Sequence, residues 1–417
     1  MISCIPASSH FLVGGTYRVS PTRIGSGGFS EVVLGMDMGT RENVAVKLER
    51  RSSRYPQLLR EHQLYEALEG ADGLPRIRWF GRAREYNVLV MDLLGPSLED
   101  LFNICGRQFS LQTILLLADQ MLERLQFIHD NSIIHRDLKP NNMVMGLGDK
   151  ANKLFLIDFG LAEVYRTSYF HLSYNQNKTQ GVAGTAGYTS LNAHLGIRRS
   201  RRDDMESIGY ILVYFLRRGL PWIGLDASNK EALCARIFEV KSTTTIETLC
   251  QVFSGSGRGG SVRDNVPLVF GCPHLIQTHP YPTFLMSPDF PTGYTPMFIS
   301  GACNQLQEWG LFWPARNASA RNGANPYEMK HLFWINLGLD GSKGCPPEFA
   351  TYLNYCRGLA FEEGPDYKYL RSLFRRLYRK LFNNGEDAEW DWTRFMKDNP
   401  PQLTTGAPNQ GQFCSNW

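Results

Sequence analysis

The apolar residues of this chain change period near residue 93, and that change constrains its architecture more than any other feature. From Tyr17 to Asp92 they alternate with polar residues, and Tyr17–Val19, Glu31–Leu34, Val44–Leu48 and Asn87–Met91 read as strands. One helix interrupts them. It starts near Pro56, a good first-turn residue, and carries Leu58, Leu59, Leu64 and Leu68 to a stop at Gly70. From Leu98 onward the apolar spacing is helical, with Leu115, Leu116, Met121, Leu122 and Leu125 inside Leu111–Ile128; Asp203–Leu216 and Phe349–Leu359 follow the same rule. A small strand-rich part followed by a larger helical part is an α+β architecture.

A third pattern interrupts the second. Residues 252–343 open with Ser254-Gly-Ser-Gly-Arg-Gly-Gly260 and carry prolines at 267, 273, 280, 282, 288, 291, 296, 314 and 326. Helices do not survive that spacing, so an irregular insertion is expected, far longer than an ordinary loop. The stretch after Asn399 is polar and reads as a disordered tail, and residues 1–16 read as an N-terminal extension. The length of 417 residues allows two or three domains at about 150 residues each. With 44 Lys and Arg against 40 Asp and Glu, composition makes no case for a nucleic-acid partner, and no apolar run approaches the ~20 residues that span a bilayer. The first ten residues lack a secretory pattern, and the nine scattered cysteines form no Cys-x-x-Cys. These features predict an intracellular protein, cytoplasmic or nuclear, with reduced thiols.

Four short strings carry chemistry. Gly25-Ser26-Gly27-Gly28-Phe29-Ser30 lies between two expected strands, where a glycine-rich turn lays backbone N–H groups against phosphates. An ordinary hairpin turn reads equally well, and the strand after it excludes a dinucleotide-binding βα turn. Lys47 projects from the apolar run Val44-Ala45-Val46, and a buried ammonium needs an anion: Glu61 on the following helix, or a nucleotide's phosphates. A strand-edge lysine is the plainer alternative. Ile133-Ile-His135-Arg136-Asp137-Leu-Lys139-Pro-Asn141-Asn142 precedes Ile157-Asp158-Phe159-Gly160 by about sixteen residues. In that order Asp137 is placed to accept the proton of an attacking hydroxyl and Lys139 to neutralise a phosphoryl group in transfer; Asn142 and Asp158 present oxygens to Mg²⁺.

These strings resemble those of eukaryotic protein kinases. Leu93-Leu-Gly-Pro-Ser-Leu-Glu-Asp-Leu-Phe102, Thr185-Ala-Gly-Tyr-Thr-Ser-Leu-Asn192, Ser200-Arg-Arg-Asp-Asp-Met-Glu-Ser207 and Glu348-Phe-Ala-Thr-Tyr-Leu-Asn354 are similar to the casein kinase I family, in which Ser190-Leu191-Asn192 stands where other kinases have Ala-Pro-Glu. The resemblance implies a bilobal fold, with a small β-rich N-lobe over 17–92 holding one key helix and a larger, mainly helical C-lobe over 93–251 and 344–398. It implies ATP and Mg²⁺ as cofactors and constitutive transfer to serine or threonine of protein substrates, near acidic or already phosphorylated residues, by a monomer. Ile24, Gly25, Ser26, Gly27, Val32, Ala45 and Ile157 would surround the nucleotide, with Met91 as gatekeeper and Asp92 to Leu94 as hinge; ordinary core is the alternative for the aliphatic members. Asp204 would hold the catalytic loop from below. A partner-binding pseudokinase is the rival class, although none of its usual losses occurs here.

Three departures stand out. Ser30 replaces a loop glycine. An arginine of the family is Gly187 here and a lysine is Asp226, which predicts weak preference for phosphoprimed substrates; Arg198, Arg199, Arg201, Arg202, Arg217 and Arg218 either compensate or form a solvated face. Excising 252–343 leaves a continuous casein kinase I segment, so the stretch is either translated intron or a surface loop. Valine codons begin GU and one lysine codon ends AG, which is compatible with splice sites at Val252 and Lys343.

Overall fold

The computed structural model describes residues 11–26, 30–167, 170, 171, 173, 183–251, 345–382 and 389–399. The expectations for the 252–343 stretch and the tail beyond Asn399 lie outside them. A six-stranded antiparallel sheet forms first, from β1 (Phe11–Val13), β2 (Tyr17–Ser26), β3 (Ser30–Asp37), β4 (Asn43–Arg50), β5 (Ile77–Ala83) and β6 (Tyr86–Asp92), in the order β1-β2-β3-β4-β6-β5. One face closes over Val19, Val33, Val44, Val46, Val88 and Val90. The strand period of two then turns Ala45 and Lys47 to the opposite face.

Two strands differ from expectation. β1 lies inside the stretch read as an extension: Phe11 and Val13 are buried and pair with Val19 and Tyr17, so the sheet begins six residues before Tyr17. β5 was not anticipated, because Arg78, Gly81 and Arg82 break its alternation.

The helix α1 (Leu58–Ala67) crosses this sheet. Pro56 precedes its N-cap, Gln57, whose side chain makes no capping bond. Glu49 does that work from β4: one carboxylate oxygen accepts the N–H groups of Gln57 at 2.6 Å and Leu58 at 3.0 Å. Glu49 lies two residues beyond Lys47, so the strand that carries the lysine also places the helix that carries Glu61.

The helical part comprises α2 (Leu98–Ile104), α3 (Leu111–Asp130), α4 (Leu191–His194), α5 (Arg201–Arg217), α6 (Lys230–Thr243), α7 (Ile246–Leu249), α8 (Pro347–Gly358), α9 (Tyr367–Phe382) and α10 (Asp391–Asp398). Two small two-stranded antiparallel sheets lie among them, β7 (Ile133–Ile134) with β10 (Glu163–Val164) and β8 (Met143–Met145) with β9 (Leu154–Leu156). Ser97 and Asp100 cap α2 reciprocally. The core helix is α5: every residue from Asp203 to Phe215 is buried. It lies close against α8 because Gly209 has no side chain; a Cβ there would stand 2.4 Å from Leu353 Cδ2. Among the described residues, no helix is long and apolar enough to cross a membrane.

Candidate active site

Sheet and helices meet at an ionic cluster. Lys47 Nζ lies 2.9 and 2.7 Å from the two Glu61 oxygens and 2.8 Å from Asp158 Oδ1. Lys47 and Glu61 are both buried, so each depends on the other: a buried charge stripped of its partner costs about 3–5 kcal/mol. Burial works against the ammonium, but the charges of Glu61 and Asp158 hold Lys47 above its ordinary range. Burial also raises Glu61, against the pull of Lys47. Asp158 is held down to about 2, against its own desolvation, by the charge and hydrogen bond of Lys47. It adopts a left-handed backbone conformation at φ 68°, and its N–H donates to the Tyr65 hydroxyl at 3.2 Å.

The string from Ile133 to Asn142 folds around a second carboxylate. Asp137 Oδ1 accepts the Thr185 N–H at 2.9 Å and its hydroxyl at 2.8 Å, while Oδ2 accepts Lys139 Nζ at 2.7 Å. Asn142 Nδ2 donates to the Asp137 carbonyl at 2.9 Å. His135 donates from Nε2 to the Ile157 carbonyl at 3.0 Å and accepts the Asp137 N–H on Nδ1, which fixes its tautomer. Only glycine passes at position 184, where φ is +84° and a Cβ would stand 2.7 Å from the Arg136 carbonyl; the next residue, Thr185, thereby reaches Asp137.

Asp204, in the first turn of α5, accepts the N–H groups of His135 at 2.7 Å and Arg136 at 2.9 Å. Its Oδ2 also takes His129 Nε2 at 3.0 Å, and His129 Nδ1 meets the Tyr367 hydroxyl at 2.5 Å. Burial lowers the His129 pKa and would raise that of Asp204; the His129 hydrogen bond prevails and keeps Asp204 below the usual carboxylate range.

The remaining expected site residues sit on the sheet and its exit. Gly25 pairs with Val32, Val32 with Lys47, and Ala45 with Met91. Ile24 is half-buried on β2, and Ile157 donates its N–H to the Asn142 carbonyl at 3.0 Å. The Asp92 side chain turns to Arg78 at 2.7 Å, and Leu94 follows it into the helical part. Only the backbone of Ser26 is described, and Gly27 lies outside the described residues. Aliphatic side chains on a sheet face with a lysine beside them fit a purine nucleotide. One carboxylate and one amide oxygen, Asp158 and Asn142, suit Mg²⁺ completed by phosphate and water; no cluster of three or more His, Cys, Asp or Glu competes for a metal among the described residues.

Arg218 is exposed, as a solvated face would have it, but the other arginines are engaged within the fold. Arg199 is buried and donates to the carbonyls of Arg136 and Ala183; Arg201 and Arg202 hold the carbonyls of Glu362 and Leu359 at 2.6 and 3.0 Å. Arg217 holds those of Thr248 and Leu249, and Arg198 pairs with Glu163 at 2.9 Å. These five are braces between segments, four of them spent on backbone carbonyls and Arg198 on a carboxylate. Gly187 and Asp226 are present as expected, Asp226 exposed.

Two contributors escaped the sequence reading. Thr185 was quoted without a role. Lys241 on α6 is fully buried, with Nζ 2.9, 3.2 and 2.7 Å from the carbonyls of Ala186, Gly187 and Thr189 and the Tyr210 and Trp222 rings beneath it. A lysine in an unpatterned helix gives no signal by spacing. A family model described as protein kinase domain matches residues 19–265.

Proposed function

The chain belongs to the protein kinase family, a family of phosphotransferases that generally uses ATP and Mg²⁺, and from that premise we propose an active serine/threonine kinase of casein kinase I type. One observation carries the reading: the Asp137 carboxylate is oriented from both sides, by Thr185 and by Lys139, within one loop of Asn142 and of the Lys47–Glu61–Asp158 cluster. Asp137 orients the substrate hydroxyl and takes its proton as that oxygen bonds to the γ-phosphorus and the bond to ADP breaks. Lys139 offsets the charge of the phosphoryl group in transfer, and Lys47, held by Glu61, binds the α- and β-phosphates. Asn142 and Asp158 would hold Mg²⁺, which would supply positive charge to offset that of the phosphates. Serine or threonine specificity and the subfamily rest on the strings around Leu93–Phe102 and Ser190–Asn192.

Substrates are proteins with acidic surroundings, and phosphoprimed sites gain little, because the cations expected at Gly187 and Asp226 are missing and the neighbouring arginines are engaged elsewhere. Transfer of radiolabelled phosphate to casein, with Asp158→Ala as control, tests the reading. Incorporation by the wild type alone supports it. Equal incorporation by both proteins refutes the assigned site, and none by either refutes activity in favour of a binding scaffold.

A further inference from the structure

Two cysteines meet where the described chain breaks off and resumes. Cys250 follows α7 and is buried; Cys345 stands two residues before α8. The Cys345 N–H donates to the Cys250 carbonyl at 2.9 Å, which brings the two cysteines side by side. A backbone hydrogen bond between two neighbouring chain segments sets the bonded residues about 5.5 Å apart at Cα. A disulfide spans about 4.4–6.8 Å between Cα atoms.

Arg217, in the last turn of α5, reaches the same corner and donates to the carbonyls of Leu249 at 2.7 Å, Thr248 at 3.2 Å and Gln251. The Cys345 hydrogen bond, and after it the Arg217 charge, pull the Cys250 thiol below its ordinary range; the same bond and burial raise Cys345. The two shifts run in opposite directions, Cys250 down and Cys345 up, as in a pair of attacking and resolving thiols. Other thiols differ: burial pushes Cys105 up to about 12 and raises Cys356.

We propose that Cys250 and Cys345 are a redox-sensitive dithiol that a hydroperoxide converts to a disulfide. The Cys250 thiolate attacks the hydroperoxide, its O–O bond breaks, and the sulfur gains a hydroxyl as sulfenic acid while water or an alcohol leaves. The Cys345 sulfur then displaces that hydroxyl as water. Two thiols lose two hydrogens and one hydroperoxide is reduced; a thiol reductant reverses the change. The pairing is independent of the residues between. Without 252–343 the sequence reads Cys250-Gln251-Gly344-Cys345, a Cys-x-x-Cys whose closing turn bond is already in place. In a reducing compartment the site rests as thiols and reports transient oxidant.

The test exposes the reduced full-length chain to hydrogen peroxide, alkylates the remaining thiols, and maps the tryptic peptides with and without reductant. The expected result is one cross-linked pair joining Cys250 to Cys345, with Cys105 and Cys356 alkylated. In Cys345→Ser the pair disappears and dimedone traps Cys250 as sulfenic acid. Wild-type peptides that carry both cysteines alkylated overturn the proposal, as does linkage of either one to a different cysteine.

Discussion

Replacing Asp204 by asparagine probes how the catalytic loop is held. The carboxylate is buried and accepts three N–H groups, from His135, Arg136 and His129, at 2.7–3.0 Å. An amide has one acceptor oxygen, so whichever way it is turned, its NH₂ faces at least one of those donors. Charge-assisted bonds of this type contribute about 1.5–3 kcal/mol each, and a stranded buried donor costs about 1–3 kcal/mol, so a loss of about 3–5 kcal/mol is expected. Arg136, at φ 71°, is held in its left-handed conformation by one of the lost bonds and relaxes, moving Asp137 next to it. In a domain of this size the melting temperature falls by roughly 10 °C. A displacement of about 1 Å at the reacting centre costs roughly 100-fold in kcat, while KM for ATP is unchanged because Lys47 and Glu61 are untouched. The pH dependence has a defined sign. Asp204 has a depressed pKa when folded, so its contribution is complete above the ordinary aspartate value near ~4 and is lost as pH falls below it. The gap between wild type and variant is therefore constant at neutral pH and narrows in acid. Calorimetry and phosphate-transfer kinetics supply the numbers. A melting temperature within ~2 °C of wild type and a kcat within about threefold would refute the clamp.

Three further outcomes follow from the same geometry. Gly187→Arg adds a cation without strain, since a Cβ there meets Ile223 Cγ1 at 3.6 Å, and selectivity for phosphoprimed over unprimed peptides rises about tenfold in a peptide array; unchanged selectivity contradicts it. Lys241→Met strands three carbonyls and raises KM for peptide more than KM for ATP. Burial pushes the Lys241 pKa down to about 7, so wild-type stability rises relative to the variant as pH climbs from ~7 towards ~10, while the wild-type peptide KM worsens over the same range; parallel pH profiles contradict this. Deleting 252–343, about ninety residues, removes loop-closure entropy and stabilises the protein by about 3 kcal/mol, seen as a higher melting temperature with kcat retained; a lower one contradicts the turn at Cys250 and Cys345.

What could be read from the chain depended on whether a residue's task leaves a local trace. Helix α3 was legible because its buried leucines repeat at helical spacing, and β4 because its apolar run is unbroken. The strings from Ile133 to Asn142 and from Ile157 to Gly160 do lie together, because Asp204 and Ile157 tie both to the same loop. β5 was not legible: Arg78 serves Asp92 and Glu42 across the sheet, and that need overrides alternation. Lys241 resembles a solvated lysine until Ala186, Gly187 and Thr189 are seen to converge on it. Arg199, Arg201, Arg202 and Arg217 look like a surface patch for the same reason, since their acceptors are carbonyls of distant segments, which have no signature in sequence.

Helix α5 has one further consequence. Its first turn carries Asp204 at the catalytic loop, and its last turn carries Arg217 at the corner where residues 252–343 interrupt the pattern. The thirteen residue steps from Asp204 to Arg217, at 1.5 Å each, put about 20 Å of stiff, mostly buried rod between the two. The far end is therefore a place where chain length can change by tens of residues while the atoms that move a phosphoryl group stay in register.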